Sequence, residues 1–416
     1  MKGSARDVVI IGGGPAGITT ALALERARPE LAARVLVLEK GRYPREKFCA
    51  GALGARGDKI LASLDAVPDV ASVPVDGISF RGADGEIAAR VGSIGRVVRR
   101  IEFDHALATI ARARGIEVLD GTRVDAVRVD GAGGVDESAD PDARDSCATL
   151  ETSRGAIRAR IVVGADGVGS VVRKAMGLGA GALRAQVLEV DTEAVAGDRD
   201  RGILHFDAAD RRLTGYSWDF PTVIGGRPLM CRGVYRLKTA GADSTSLPLE
   251  QIFAERLAAM GLDLASYKNK RYAERGFDPV EEVARGPLML VGEAAGIDPV
   301  TGEGIAQAIE YGALAGRFLA DELTRHADAP RAEGWSGEVK RSRLRRDLRI
   351  RTGFVPFVYG DTRDEMEHFL LESSDLLHVG CQHFAAQPYD LLRLAGVIGR
   401  GASRWTGIAI TRALRA

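Results

Sequence analysis

The stretch IIGGGPAGITTALALE at residues 10–25 limits this chain more than any other. Just before and into it, DVVII at residues 7–11 is short, apolar and β-branched, as a strand buried on both faces requires. Gly12, Gly14 and Gly17 follow in GxGxxG spacing, and residues 15–28, rich in Ala and Leu, read as a helix. RVLVLE at residues 34–39 is a second strand ending on Glu39, about twenty positions beyond the last glycine. Glycines alone make a turn. Set between a buried strand and a helix, with an acid closing the next strand, they make a dinucleotide site. Gly12 permits the tight turn, Gly14 admits the backbone to a pyrophosphate, and Gly17 lets helix and strand pack closely. The helix opening at Pro15 and Ala16 turns free N–H groups and a partial positive charge towards the phosphates. Glu39 is placed to accept hydrogen bonds from a ribose, with Lys40 beside it.

The rest of the chain narrows the class. Its 416 residues exceed one simple core and suggest two intimately joined domains with a tail. Lys+Arg and Asp+Glu balance at 57 each, so no basic excess points to nucleic acid. Residues 1–7 lack the apolar stretch of a signal peptide, and no apolar run reaches membrane-spanning length. Cys49, Cys147, Cys231 and Cys381 lie far apart without a CxxC pair, which suits free thiols in a reducing cytoplasm. HVGCQHF at residues 378–384 sets His378, Cys381 and His383 at near-ligand spacing. Without a second cluster, and in an apolar setting, ordinary packing is the expectation and no metal site is assigned. The polar, acidic residues 130–147 read as a surface loop between strands.

KGRYPREKFCAGALGARG at residues 40–57 is basic and glycine-rich, unlike the next strand and helix of a simple NAD-binding domain. Three later stretches carry further motifs: VVRRIEFDHALATIARARG (97–115), IVVGADGVGSVVRKAMG (161–177) and LMLVGEAAGIDPVTGEGIAQAIEYGALAG (288–316). Together they resemble the FAD-dependent oxidoreductases with the p-hydroxybenzoate hydroxylase fold. Within these they look most like the geranylgeranyl reductase family, whose PREKxCGGGL-type segment (here PREKFCAGAL) and RxxFDxxL, ADGxxSxxR and GEAAG…TGEGI motifs are matched in order. The resemblance implies an α/β protein in three parts: a discontinuous Rossmann-type FAD-binding domain (1–70, 96–175 and 285–325), a β-sheet substrate-binding domain (71–95 and 176–284), and a helical C-terminal region (326–416).

It also implies FAD as the cofactor. Arg100 would set a charge beside the phosphates, the alternative being a solvated arginine at a helix start. Lys47 is either phosphate-facing or solvated. Asp166 and Gly167 sit at a turn after an apolar strand, in reach of cofactor groups. Glu293 follows the strand at residues 287–291 and would bond the ribityl hydroxyls. Pro299, Gly302, Gly304 and Ile305 bring the opening of a long helix, starting at Thr301, to the flavin edge where negative charge gathers on reduction.

For the substrate, GYSWDFP at residues 215–221 alternates Tyr216, Trp218 and Phe220, which share one face of a strand. This resembles the family's YxWxFP signature, lining a cavity for an apolar molecule; three aromatics packing a sheet on a helix is the alternative. A halogenase of this fold would carry WxWxIP. Cys49 is implied to shape the channel beside the flavin without a covalent step, against the plain reading of a small apolar residue in a turn. Cys49, Tyr216, Trp218 and Phe220 are therefore the catalytic candidates. Three functions follow from the resemblance: saturation of C=C bonds in a prenyl-like chain, monooxygenation or halogenation, and non-catalytic lipid binding as in Rab escort proteins and GDP-dissociation inhibitors, which share a related fold. With no second GxGxxG for NAD(P)H, the reductant is a transient nicotinamide or a reduced partner protein. EVKRSRLRRDLRIR (338–351) reads as a basic amphipathic helix, and Arg393, Arg400, Arg404, Arg412 and Arg415 follow Asp390 with no further acid. Peripheral contact with an anionic membrane is one expectation; the other is that these arginines pair with acids and cap the substrate domain.

Overall fold

The computed structural model describes residues 6–130, 147–198, 200–238 and 247–415, with side chains as far as residue 405. The acidic loop expected at 130–147 falls almost wholly outside these, between the strands Val124–Val129 and Ala148–Thr152. The opening strand is Arg6–Ile11, and its last four residues are buried. Two parallel partners flank it: Val9 lies opposite Leu36 of Val35–Leu38 and opposite Val162 of Gly155–Gly164. Leu288–Leu290 joins in parallel beyond Gly155–Gly164.

Parallel neighbours finish at the same edge of a sheet, where ligands of such folds bind. That edge receives the glycine turn after Ile11, the Asp166 turn after Gly164 and the Glu293 turn after Leu290. The ladder even continues past the strand ends: the Ala165 N–H donates to the Ile11 carbonyl at 2.8 Å, and Val291 to Gly164 at 3.0 Å. Three motifs distant in sequence thus become one lip.

The second sheet runs in the order Lys270–Arg275, Arg184–Thr192, Arg227–Lys238, Gly215–Ile224, Ile203–Asp207, Ser72–Gly82, Gly85–Val98, Ala52–Gly54. It moves two expected boundaries. Ala52 pairs with Val97, so residues 52–54 and 96–98 are strands of this sheet, while Leu53 and Val98 still pack into the cofactor core. Residues 332–348 belong to the cofactor core: Trp335 is fully buried there and its indole N–H donates to the Leu290 carbonyl at 2.9 Å. A buried indole needs such a partner, which fixes this segment against the cofactor sheet.

The basic stretch 338–351 is two helices, Trp335–Arg341 and Arg343–Tyr359. Ser342 divides them, its Oγ accepting the Arg345 N–H at 3.1 Å as an N-cap. Arg363–Leu371, Asp375–Phe384 and Leu391–Arg415 complete the cap. The long helix of the third motif begins at Ile305, four residues later than expected. The Asp298 carboxylate takes the N–H groups of Val300 and Thr301, at 2.8 and 3.3 Å, and holds that backbone in a turn.

Candidate active site

The glycines of the first motif differ in what forbids a side chain. A Cβ at Gly17 would stand 1.9 Å from the Gly12 carbonyl, so this glycine closes helix onto turn. At Gly14 a Cβ would meet nothing nearer than the guanidinium groups of Arg100 at 3.7 Å and Arg45 at 3.9 Å. A gap therefore lies between two arginines and the start of the helix Pro15–Ala27, three sources of positive potential around one space. Both arginines are fixed. Arg100 pairs bidentately with Asp104 at 2.7 and 2.8 Å, and Arg45 reaches Glu39 and Asp104 at 3.1 Å each. Glu39 is buried and accepts the Gly13 and Gly41 N–H groups at 2.9 Å, leaving Oε1 a further acceptor site for a ribose hydroxyl. Lys40 is exposed at the rim.

Further along, two carboxyl groups turn unused oxygens inward. Asp166 Oδ2 accepts the Val171 N–H at 2.7 Å, whereas its Oδ1 is buried without a partner, as is Glu293 Oε1. Burial pushes the Asp166 carboxyl above its usual range. Buried polar atoms are rarely left unmatched, and hydroxyl donors of a ligand would match these.

Tyr216, Trp218 and Phe220 do share one face, on the strand Gly215–Ile224, with successive ring centroids 6.2 Å apart. Phe206 sits 5.2 Å from both Tyr216 and Phe220. Trp218 lies flat across the neighbouring strand because its partner there is Gly233, where a Cβ would come within 2.2 Å of the indole. The tyrosine does more than line a wall. Its hydroxyl donates to the Thr301 carbonyl at 2.5 Å, Tyr235 donates to Pro299 at 2.9 Å, and Tyr359 donates to Val300. Three phenols hold three consecutive carbonyls of the third motif.

Cys49 is half-buried on the same chamber, its N–H bound to Glu189 Oε1 at 3.0 Å. Burial, above all, raises its thiol, so it stays protonated. Lys47 is not placed among the phosphate-facing groups: its ammonium lies 5.8 Å from the centroid of the Tyr272 ring, on the chamber side.

One cavity of about 1260 Å³ runs through all of this. A single small ligand usually occupies about 300–1,000 Å³; there is room for a dinucleotide and a second molecule. Of the residues expected to hold cofactor or substrate, only Gly17 and Pro299 are off the wall, one packing the turn and the other anchored through its carbonyl. The cavity continues between the C-terminal helices to Ile350, Phe354 and Val358, and there Ile350 and Phe354 are 55% and 42% exposed.

Several contributors were not read from the sequence. Arg45 belongs to the PREK stretch, and its charge next to a dinucleotide motif was a usable signal. Tyr235, Tyr359, Glu274, Asp298 and Arg351 carry no such mark; strand register and cap placement bring them in.

An open glycine cradle flanked by arginines, orphaned carboxylate oxygens beyond it and an aromatic chamber at the far end fit FAD, and define an FAD-dependent oxidoreductase. The chain belongs to the FAD binding domain family, which it matches over residues 5–342. It is similar to digeranylgeranylglycerophospholipid reductase 1 of Methanococcoides burtonii, 26% identical over 336 residues, covering 76% of this chain and 75% of the relative. It is also similar to menaquinone reductase of Mycolicibacterium smegmatis, 27% identical over 338 residues, covering 75% and 76% respectively. A flavoprotein/dehydrogenase from Cytophaga hutchinsonii shares the fold, with a TM-score of 0.68, 18% identity, and coverage of 92% of this chain and 93% of that one. The expected resemblance to the geranylgeranyl reductase family is therefore met among its relatives.

Proposed function

We propose that this enzyme saturates C=C bonds of a long apolar, prenyl-like molecule. The observation that carries the reading is the continuity of the chamber: an aromatic wall beside the cofactor cleft opens through exposed apolar residues of the C-terminal helices. FAD, when bound, supplies hydride. The chain's part is to position and to exclude water. Arg45, Arg100 and the helix start would hold the diphosphate, Asp166 and Glu293 would take the hydroxyls, and Tyr216, Trp218 and Phe220, their rings tilted to one another, give an aromatic wall for an alkene. Two relatives bearing the names of lipid and quinone reductases support the same reading. The glycine fingerprint occurs once in the sequence, which supports a reductant that visits: NAD(P)H, or a reduced partner protein.

The test is product mass. Reduced holoenzyme should convert a geranylgeranyl lipid without oxygen to a product heavier by two hydrogens, located in the prenyl chain by fragmentation. A product that forms only in air and gains one oxygen atom would replace this reading with monooxygenation. Halide incorporation would replace it with halogenation, and no conversion over a broad panel with non-catalytic lipid binding. Comparing NADPH with reduced ferredoxin as donor identifies the reductant.

Cys49, as a neutral thiol on the wall, shapes the chamber without forming a bond to substrate. Cys49→Ser should keep its FAD and lose turnover by roughly ten- to a hundred-fold, the scale of a misplaced positioning group. A substrate adduct on intact-protein mass spectrometry would contradict this.

The same reading places substrate delivery at a membrane surface. Among the described residues no helix is long and apolar enough to cross one. Many C-terminal arginines are engaged, Arg351 with Asp298 and Glu303, Arg393 and Arg400 with Asp375, and Arg404 with Glu372. Arg346 and Arg349, however, are exposed beside Ile350, and Leu391 and Leu392 are 75% and 87% exposed. Each such charge contributes about 1 kcal/mol near an anionic leaflet. Salt-sensitive co-sedimentation with anionic vesicles, and none with neutral ones, is expected. Protein remaining in solution with anionic vesicles at low salt would favour a soluble substrate.

A further inference from the structure

Glu274, on the strand Lys270–Arg275, lines the chamber, and its Oε2 is sealed from solvent with no hydrogen-bond partner. The carboxyl sits at the third-motif turn. A Cβ on Gly302, whose φ is +67°, would stand 2.7 Å from Oε2, 3.4 Å from the Tyr235 ring and 3.5 Å from the Tyr216 hydroxyl. Turn, aromatic wall and acid meet at that point.

Apart from Glu293, whose unmatched Oε1 is assigned above to a cofactor hydroxyl, the carboxyl, phenol and thiol groups nearby are committed. The hydroxyls of Tyr216, Tyr235 and Tyr359 donate to carbonyls. Glu189 accepts from the Cys49 N–H and from the Tyr272 hydroxyl, both at 3.0 Å, with the Lys270 ammonium 3.6 Å away. Asp298 and Glu303 are both engaged by Arg351. The Cys49 sulfur already accepts the Gly51 N–H at 3.4 Å. Apart from Glu293, Glu274 alone among these faces the chamber with an unused oxygen.

We propose that Glu274 is held there as a neutral carboxylic acid and gives its proton to the bound alkene, a role that rests on the reduction reading above. Burial, first of all, keeps its carboxyl well above the usual carboxylate range; Glu293, Glu189 and Asp298 add like charge, and Lys47 opposes them. Cys49, Tyr216, Tyr235 and Tyr272 also surround it, each raised by burial and neutral near pH 7. None of these four offers a counter-charge that would favour ionisation.

Saturating one C=C bond consumes one hydride and one proton. The π bond breaks and two C–H bonds form. The hydride, with its electron pair, would be the contribution of the reduced cofactor, which regains two electrons from NAD(P)H in one step or from a reduced partner protein in two successive one-electron steps. The proton leaves the Glu274 O–H, whose bonding pair remains on the carboxylate, and solvent returns a proton afterwards. Activity should be full while Glu274 is protonated and fall as pH rises through its elevated pKa.

The experiment uses holoenzyme of the wild type, Glu274→Gln and Glu274→Asp. Infrared difference spectra need no turnover: the wild type should show the carbonyl stretch of a neutral carboxylic acid at neutral pH, shifted in heavy water and missing in E274Q. Anaerobic single turnover of the reduced proteins with a geranylgeranyl lipid should be at least about 100-fold slower in E274Q, the usual worth of a general acid. Its alkaline limb should vanish, FAD content should be unchanged, and E274D should recover part of the rate. The proposal is overturned if the band persists in E274Q, or if E274Q keeps the wild-type rate and pH profile. Wild type that shows the band but reduces no alkene sinks the reduction reading, and the donor role with it, while leaving the neutral acid established.

Discussion

Gly14→Val protein should leave purification colourless, whereas the wild type should be yellow with about one FAD per chain. The backbone at Gly14 is extended, with φ −81° and ψ −175°, a conformation open to any residue. A Cβ there would meet no atom of the fold nearer than the two arginine side chains, so the chain should still fold. The valine methyl groups would occupy the gap between Arg45, Arg100 and the helix start, where the diphosphate has to approach the backbone. Flavin absorbance per chain, with circular dichroism as the control for folding, reads the result. Normal FAD content in that variant would refute the placement of the diphosphate. Gly17→Val is the contrast: its Cβ lies 1.9 Å from the Gly12 carbonyl, so it should fail to fold at all.

Arg351→Met should be the most damaging single change in the C-terminal region. The Asp298 side chain is fully buried and that of Glu303 is 10% exposed, and both depend on this guanidinium. Removing one partner of a buried pair leaves a charge without compensation and costs about 3–5 kcal/mol. Domains are stable by only about 5–15 kcal/mol, so a large part of the protein's stability is at stake. Denaturant unfolding of holoprotein measures it. Adding Asp298→Asn to Arg351→Met should recover part of the loss, because one of the two orphaned charges is then gone. A loss below about 1 kcal/mol for Arg351→Met, the size of a surface pair, would show that this contact does not hold the turn.

The cofactor side of the site was largely legible because its logic is local. Strand, glycines, helix and acid lie within one short segment, and the Asp166 and Glu293 motifs announce themselves by a glycine turn after an apolar strand. Tyr216, Trp218 and Phe220 were legible for a similar reason, since alternation alone puts them on one face. Tyr235 was not. It reaches the same spot through the register of a hairpin, opposite Tyr216, and nothing in its own neighbourhood marks it. Arg351 sits in a run of arginines whose pattern suggested a solvated face, yet its partners lie about fifty residues earlier in a turn that only the packed cap can meet. Glu274 looks like any charged strand residue until the chamber wall places it beside Gly302. Helix boundaries failed for a further reason: at Asp298 and at Ser342 a side chain competes for backbone N–H groups, and that contest is settled by tertiary geometry.

The three phenols on the carbonyls of Pro299, Val300 and Thr301 come from both remaining parts of the chain, two from the substrate sheet and one from the cap. Cofactor loop, sheet and cap are therefore not separable modules. A chain cut after the long helix would lose Tyr359 and Arg351 together with Trp335, and would be a damaged loop rather than a minimal flavin domain. Grafting another relative's cap to change substrate would carry over the same obligation, a phenol and a guanidinium at matching places. Exchange of parts in this protein is constrained less by the width of the chamber than by the short turn to which every part is tied.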